Sequence, residues 1–204
     1  MEHILPAHNE NSIKIPKPEL EEPKSSRHVW LKSLGSLAFF LVIGYFFFRR
    51  TNSDPYAAMA LVIVLTVVVV FHELGHFVAM KIYKYRELGM FFIPLLGAYV
   101  SGKKQEVSQK QSAIILLAGP VPGILLGIIL HFISIQLDLD FLKNVAWIFI
   151  FLNVLNLLPV YPLDGGQLLH RLFLDDYNIL GKIFVILSVA LMSWVAIASG
   201  YLFL

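Results

Sequence analysis

The sequence predicts an all-α polytopic membrane protein. About five transmembrane helices are expected, with a short membrane-associated β-hairpin or strand region between the second and third. Three observations carry this. The 204 residues are 57% hydrophobic and only 15% charged, too apolar for an ordinary soluble domain. The apolar residues come in long blocks, each near the roughly 20 residues needed to cross hydrocarbon. Charged and turn-forming residues punctuate those blocks. There is no cysteine, which excludes disulfides and thiolate metal ligands. A formal net charge of +2 gives no reason to expect a nucleic-acid partner; the expected surroundings are a lipid bilayer.

Residues 1–28 are polar, carry Pro6, Pro16, Pro18 and Pro23, and mix glutamates with lysines. They are expected to form a disordered cytoplasmic tail rather than a cleavable signal peptide, with His3, His8 and His28 solvated. Residues 29–204 are the expected membrane-embedded domain. Trp30–Phe48 is the first span, and Asn52-Ser53-Asp54-Pro55 is a tight turn. Ala57 to about Tyr83 is the second span. Between residues 87 and 111, Met90–Val100 is apolar but too short to span, and Pro94 and Gly97 break any helix. A hairpin at the membrane face is expected there. Ser112 to about Ile135 is the third span, interrupted by Gly119-Pro120-Val121-Pro122-Gly123. That interruption is either a packing kink or a gap admitting water or substrate. Phe141 to about Pro159 is the fourth span, residues 167–177 a short amphipathic helix, and Ile179–Leu204 the fifth span.

Lysine and arginine set the expected orientation. The N-terminal segment through Lys32, the 81–110 segment and the 164–182 segment hold five, six and two basic residues. The opposite loops hold only Arg49, Arg50 and Lys143. By the positive-inside rule the N-terminus faces the cytoplasm.

The chemistry lies in Phe71-His72-Glu73-Leu74-Gly75-His76, which follows fourteen uncharged residues. Ionisable groups at such depth cost about 2.5–3.5 kcal/mol each on insertion scales and mark a functional site by default. His72 and His76 are four apart and share a helix face, so both imidazoles can reach one Zn²⁺. H-E-x-x-H on a helix is a metalloprotease pattern, with the glutamate as base. A catalytic zinc wants three protein ligands and one open position. Asp164 is the expected third ligand, with His170 as runner-up; Gly165 and Gly166 allow the backbone near Asp164 to approach closely. Glu87 and Glu106 lie in the basic loop and suit the role less. His131 is expected at an interface or hydrogen-bonded to a neighbour. The alternative to a metal site is a histidine pair bonding across helices beside a neutral Glu73.

The motif His72-Glu73-Leu74-Gly75-His76, together with Asn156-Leu157-Leu158-Pro159-Val160-Tyr161-Pro162-Leu163-Asp164-Gly165-Gly166, resembles the site-2 protease family of intramembrane zinc metalloproteases. The resemblance covers roughly residues 57–170. It implies that His72, His76 and Asp164 bind one Zn²⁺ and that Glu73 is the catalytic base for the attacking water. It also implies that Asn156 contacts substrate or the developing oxyanion. The implied reaction is hydrolysis of peptide bonds within or near transmembrane segments of single-span membrane proteins. Ile93–Val100 is similar to the family's membrane-associated strand region, with Ala98 where glycine is common. Gly119-Pro120 matches another family feature, but Gly123 stands where an asparagine often follows. The chain resembles the minimal form without a PDZ domain. Other classes remain open: a membrane metal-binding or transport protein using the same ligands, or a catalytically silent relative that holds membrane proteins. Histidine-box di-iron oxygenases need several histidine pairs, and only one lies in the membrane here.

Overall fold

The computed structural model describes residues 26–51, 53–94, 97–173 and 179–198. Seven helices and one hairpin follow in order: α1 Ser26–Thr51, α2 Pro55–Ile82, β1 Arg86–Ile93, β2 Gly97–Lys103, α3 Gln109–Ala118, α4 Pro120–Leu137, α5 Asp140–Asn156, α6 Asp164–Phe173 and α7 Ile179–Ala198. The architecture is mostly helical with a small antiparallel sheet of two strands. The expected tail lies outside the described residues, except that Ser26, Arg27 and His28 already belong to α1.

Three helical stretches among the described residues are long and apolar enough to cross a membrane: His28–Thr51, Pro55–Ile82 and Gln109–Leu137. At 1.5 Å per residue, the 28 residues of the second reach about 42 Å, more than the roughly 30 Å hydrocarbon layer. Helix α5 is shorter, at 17 residues.

Local chemistry explains the boundaries. Asp54 caps α2, its carboxylate accepting from the Tyr56 N–H at 2.9 Å, and Pro55 opens the helix where a missing N–H costs nothing. The third stretch is divided at Gly119. Pro120 begins α4 and Pro122 falls in its first turn. Neither proline has an N–H to return to the last turn of α3, so carbonyls there are left for other partners. Ser108 caps α3 by accepting from Gln111 N–H at 3.2 Å.

The hairpin is positioned between two helices. Phe92 pairs with Ala98 in its register, but the Phe92 N–H points away from β2 and donates to Ser36 Oγ of α1 at 3.1 Å. The ring of Phe92 lies 5.9 Å from that of Phe40. Strand β1 is thus closed off by α1, while β2 lies along α2.

Burial is inverted relative to a soluble protein. Apolar side chains such as Phe39, Phe46, Leu125 and Phe132 are exposed, whereas His72, Glu73, His76, Asn153 and Asp164 are buried. An apolar exterior around a polar interior is what a lipid solvent selects.

Candidate metal centre

Helix α2 delivers His72, Glu73 and His76 to the interior, and the N-terminus of α6 delivers Asp164 to the same point. His72 Nε2 lies 3.0 Å from Asp164 Oδ2, and His76 Nε2 lies 3.2 Å from it. The two Nε2 atoms are 3.1 Å apart. A tetrahedral zinc with arms of about 2.0 Å has ligand–ligand edges of about 3.3 Å, so the triangle is close to the size that such an ion requires.

Each imidazole is fixed by its other nitrogen. His76 Nδ1–H donates to the Ile115 carbonyl in the last turn of α3 at 2.8 Å. His72 Nδ1–H donates to Asn153 Oδ1 at 2.8 Å. The orientation of that amide is determined, because its Nδ2 donates to the Phe149 carbonyl at 2.8 Å and the oxygen must face the histidine. Both rings therefore carry hydrogen on Nδ1 and present a lone pair at Nε2. Asp164 Oδ2 is buried and has no hydrogen-bond partner. Three acceptor atoms face one another with no hydrogen among them, an arrangement that fits a divalent cation.

Backbone contacts set these positions. A Cβ on Gly119 would enter the His76 ring, and one on Gly75 would enter the Ala118 carbonyl. The break between α3 and α4 thus presses directly on α2. The first turn of α6 lies equally close to residues 157–161, with no room for side chains at Gly165 or Gly166. Arg171 of α6 donates to Ser112 Oγ of α3 at 3.3 Å, and Gln167 donates to the Pro162 carbonyl at 2.9 Å. Glu73 is 5% exposed and close enough to interact electrostatically with both histidines and Asp164, and the Val100 N–H of β2 faces its carboxylate. His72, Glu73, His76, Asp164, Gln167 and Arg171 line a cleft of about 780 Å³ that β2 borders with Ala98, Val100 and Gly102.

Among the described residues, the metal-competent cluster is His72, His76 and Asp164. His170 stacks 6.3 Å from Phe184 on another face, lining a separate pocket. His131 lies against Trp147 at 5.3 Å. Glu87 pairs with Lys103 at 2.9 Å. Asn156 lines the cleft and donates to the Leu152 carbonyl at 3.1 Å. The residue that sequence reasoning missed is Asn153. Its only signal was its place one turn before Asn156 in an apolar helix.

The fold and site together define a mostly helical protein whose long apolar helices surround a buried candidate metal centre, and comparison with known proteins gives that arrangement a family. Residues 60–140 and 136–192 match the sequence model of Peptidase family M50. Zinc metalloprotease MJ0392 of Methanocaldococcus jannaschii is 30% identical over 125 residues, 59% of this chain and 36% of that one. Stage IV sporulation protein FB of Bacillus subtilis is 30% identical over 122 residues, 56% of this chain and 41% of that one. The chain therefore spans well under half the length of these two relatives. The solved Site-2 Protease from Methanocaldococcus jannaschii has a TM-score of 0.60 at 25% identity, covering 82% of this chain and 78% of that chain. The chain belongs to Peptidase family M50, within the site-2 protease family.

Proposed function

We propose that the protein hydrolyses peptide bonds within or near transmembrane segments of single-span membrane proteins, using one Zn²⁺ held by His72, His76 and Asp164. The observation that carries this is the buried triangle of Nε2, Nε2 and Oδ2 with Glu73 beside it. A zinc bound there would supply Lewis acidity, polarising a scissile carbonyl and bringing a water toward a pKa of about 7. Glu73 accepts the proton of the attacking water and returns it to the departing amine. Its burial excludes bulk water, and its position one residue after His72 keeps it on the wall of the cleft. Asn156, which lines the same cleft, is available to contact the substrate carbonyl or the oxyanion that develops from it.

A helical substrate must unwind locally, because its carbonyls are otherwise internally bonded. The outward N–H groups of β2 then offer an edge to which the extended segment adds as a strand. The N-terminus and the site face the cytoplasm in this proposal, with five helices crossing the bilayer.

The test is Glu73→Gln in purified protein with a single-span substrate. The expected result is loss of cleavage by a factor of about 10²–10⁴ with one zinc per chain retained. Full cleavage by this variant would overturn the proposal. A metal carrier using the same ligands would keep its flux.

A further inference from the structure

We infer that Asn153 is the positioning residue that holds His72 ready for metal, and that Gly123 is glycine because Asn153 occupies its side-chain space. The inference rests on the zinc-site reading above and deepens it.

Asn153 is 0% exposed, in the last turn of the apolar helix α5. Both ends of its amide are committed. Nδ2 donates to Phe149 O within its own helix, and Oδ1 accepts from His72 Nδ1–H across to α2. An amide pinned in this way can only accept at His72, so it selects the tautomer whose lone pair is at Nε2. Partners of this kind orient a liganding imidazole and raise its basicity.

Helices α4 and α5 meet closely enough to accommodate it. Gly127 has no room for a Cβ against Ala146 and Ile150. One turn earlier, a Cβ on Gly123 would fall on the Asn153 amide itself, against its Cγ, Oδ1 and Nδ2. The Asn153 oxygen lies about as far from that Cβ position as the amide oxygen of an asparagine lies from its own Cβ. An asparagine at 123 therefore has the reach to bring its oxygen to that point beside His72, within the space that the Asn153 amide fills. The family resemblance leads to the expectation of an asparagine at 123, where this chain has glycine. In this chain the amide is transposed: α5 supplies it and α4 clears the space. Positions 123 and 153 are one functional unit, and each residue alone is explained by the other.

The experiment is a transposition cycle on the full chain: Asn153→Gly, Gly123→Asn, and both together. The main readout is zinc retention against a chelator. The second is the ¹⁵N signature of the His72 ring in metal-free protein. Asn153→Gly is expected to lower zinc affinity about 10–100-fold and to lose the Nδ1–H preference. Gly123→Asn alone is expected to do the same, because two side chains then compete for one space. The double variant is expected to recover about tenfold or more over Asn153→Gly and to restore the tautomer. Asn153→Asp keeps the acceptor and is expected to retain zinc better than Asn153→Leu, which keeps only bulk. The inference is overturned if Asn153→Gly retains zinc and tautomer like the unaltered protein, or if the double variant does no better than Asn153→Gly. Neither readout requires a substrate. A protein that binds zinc and cuts nothing thus counts against the proposed function while leaving this result to stand or fall on its own.

Discussion

Two neutral imidazole nitrogens and a carboxylate oxygen within 3.2 Å of one another repel unless a cation lies between them. Everything around them prevents escape. His76 is the more tightly held, with Ile115 O on its Nδ1 and the Gly119 backbone against its ring. Adding one methyl group at Gly119 should therefore act on the metal before it acts on the fold. Gly119→Ala is expected to cost about 1–3 kcal/mol of overpacking, expressed as roughly tenfold or greater loss of zinc affinity with helical circular dichroism retained. Zinc analysis after dialysis against a graded chelator measures it; unchanged zinc content would show that the ring has room to move. The structure brings His72, His76 and Asp164 together, and their candidacy was legible in the sequence, because a charge in an apolar run has few reasons to exist. Asn153 was not. It and Asn156 are three apart on one helix, and only the packing of α5 on α2 and α4 tells which one meets His72. Nor could sequence explain Gly123, whose reason is thirty residues away in the chain.

Elements matter here through their edges and ends. The hairpin was legible from Pro94 and Gly97, but its orientation was not, since nothing in strand composition says which edge is covered. The covered edge follows from one hydrogen bond. With Phe92 N–H committed to Ser36 and Phe92 paired to Ala98, the alternation of an antiparallel ladder turns Ala98 N–H outward toward the cleft. The Val100 N–H, two residues on, faces Glu73. Among the described residues β2 thus turns an edge without a partner strand toward the cleft, and proline at 98 should remove an outward N–H without breaking the ladder. Ala98→Pro is expected to lower kcat/KM for a transmembrane substrate about tenfold or more, with zinc binding retained. Cleavage at the original rate would remove the strand-addition step from the mechanism. The division at Gly119 belongs to this scale too. Two prolines announced a break, yet only the structure says what it does: they begin a new helix, and the last turn of α3 gives a carbonyl to His76.

At the scale of the whole molecule, the polar residues form a cluster walled by helices whose outer faces are apolar. The cluster is not central along the bilayer normal. His72, Glu73 and His76 lie in the C-terminal half of α2, and Asp164 begins a helix directly after α5. The turns joining α1 to α2 and α4 to α5 belong to the other side. In the proposed orientation the sequence divides its basic residues the same way, with only Arg49, Arg50 and Lys143 assigned to the far side. Thirteen against three is a strong bias under the positive-inside rule, and the proposed orientation, with the site side in the cytoplasm, rests on it. The absence of cysteine makes this directly measurable, since each introduced thiol is the only one present. Ser53, Lys143 and Gln105 are exposed, the first two near the far turns and the third in the basic loop. In intact cells a membrane-impermeant maleimide is expected to label Ser53→Cys and Lys143→Cys but not Gln105→Cys, and in inside-out vesicles the pattern should reverse. Labelling of Gln105→Cys from outside the cell would invert the molecule. It would then follow that segments are cleaved from the external face, and the thirteen basic residues would need a partner other than the cytoplasmic leaflet.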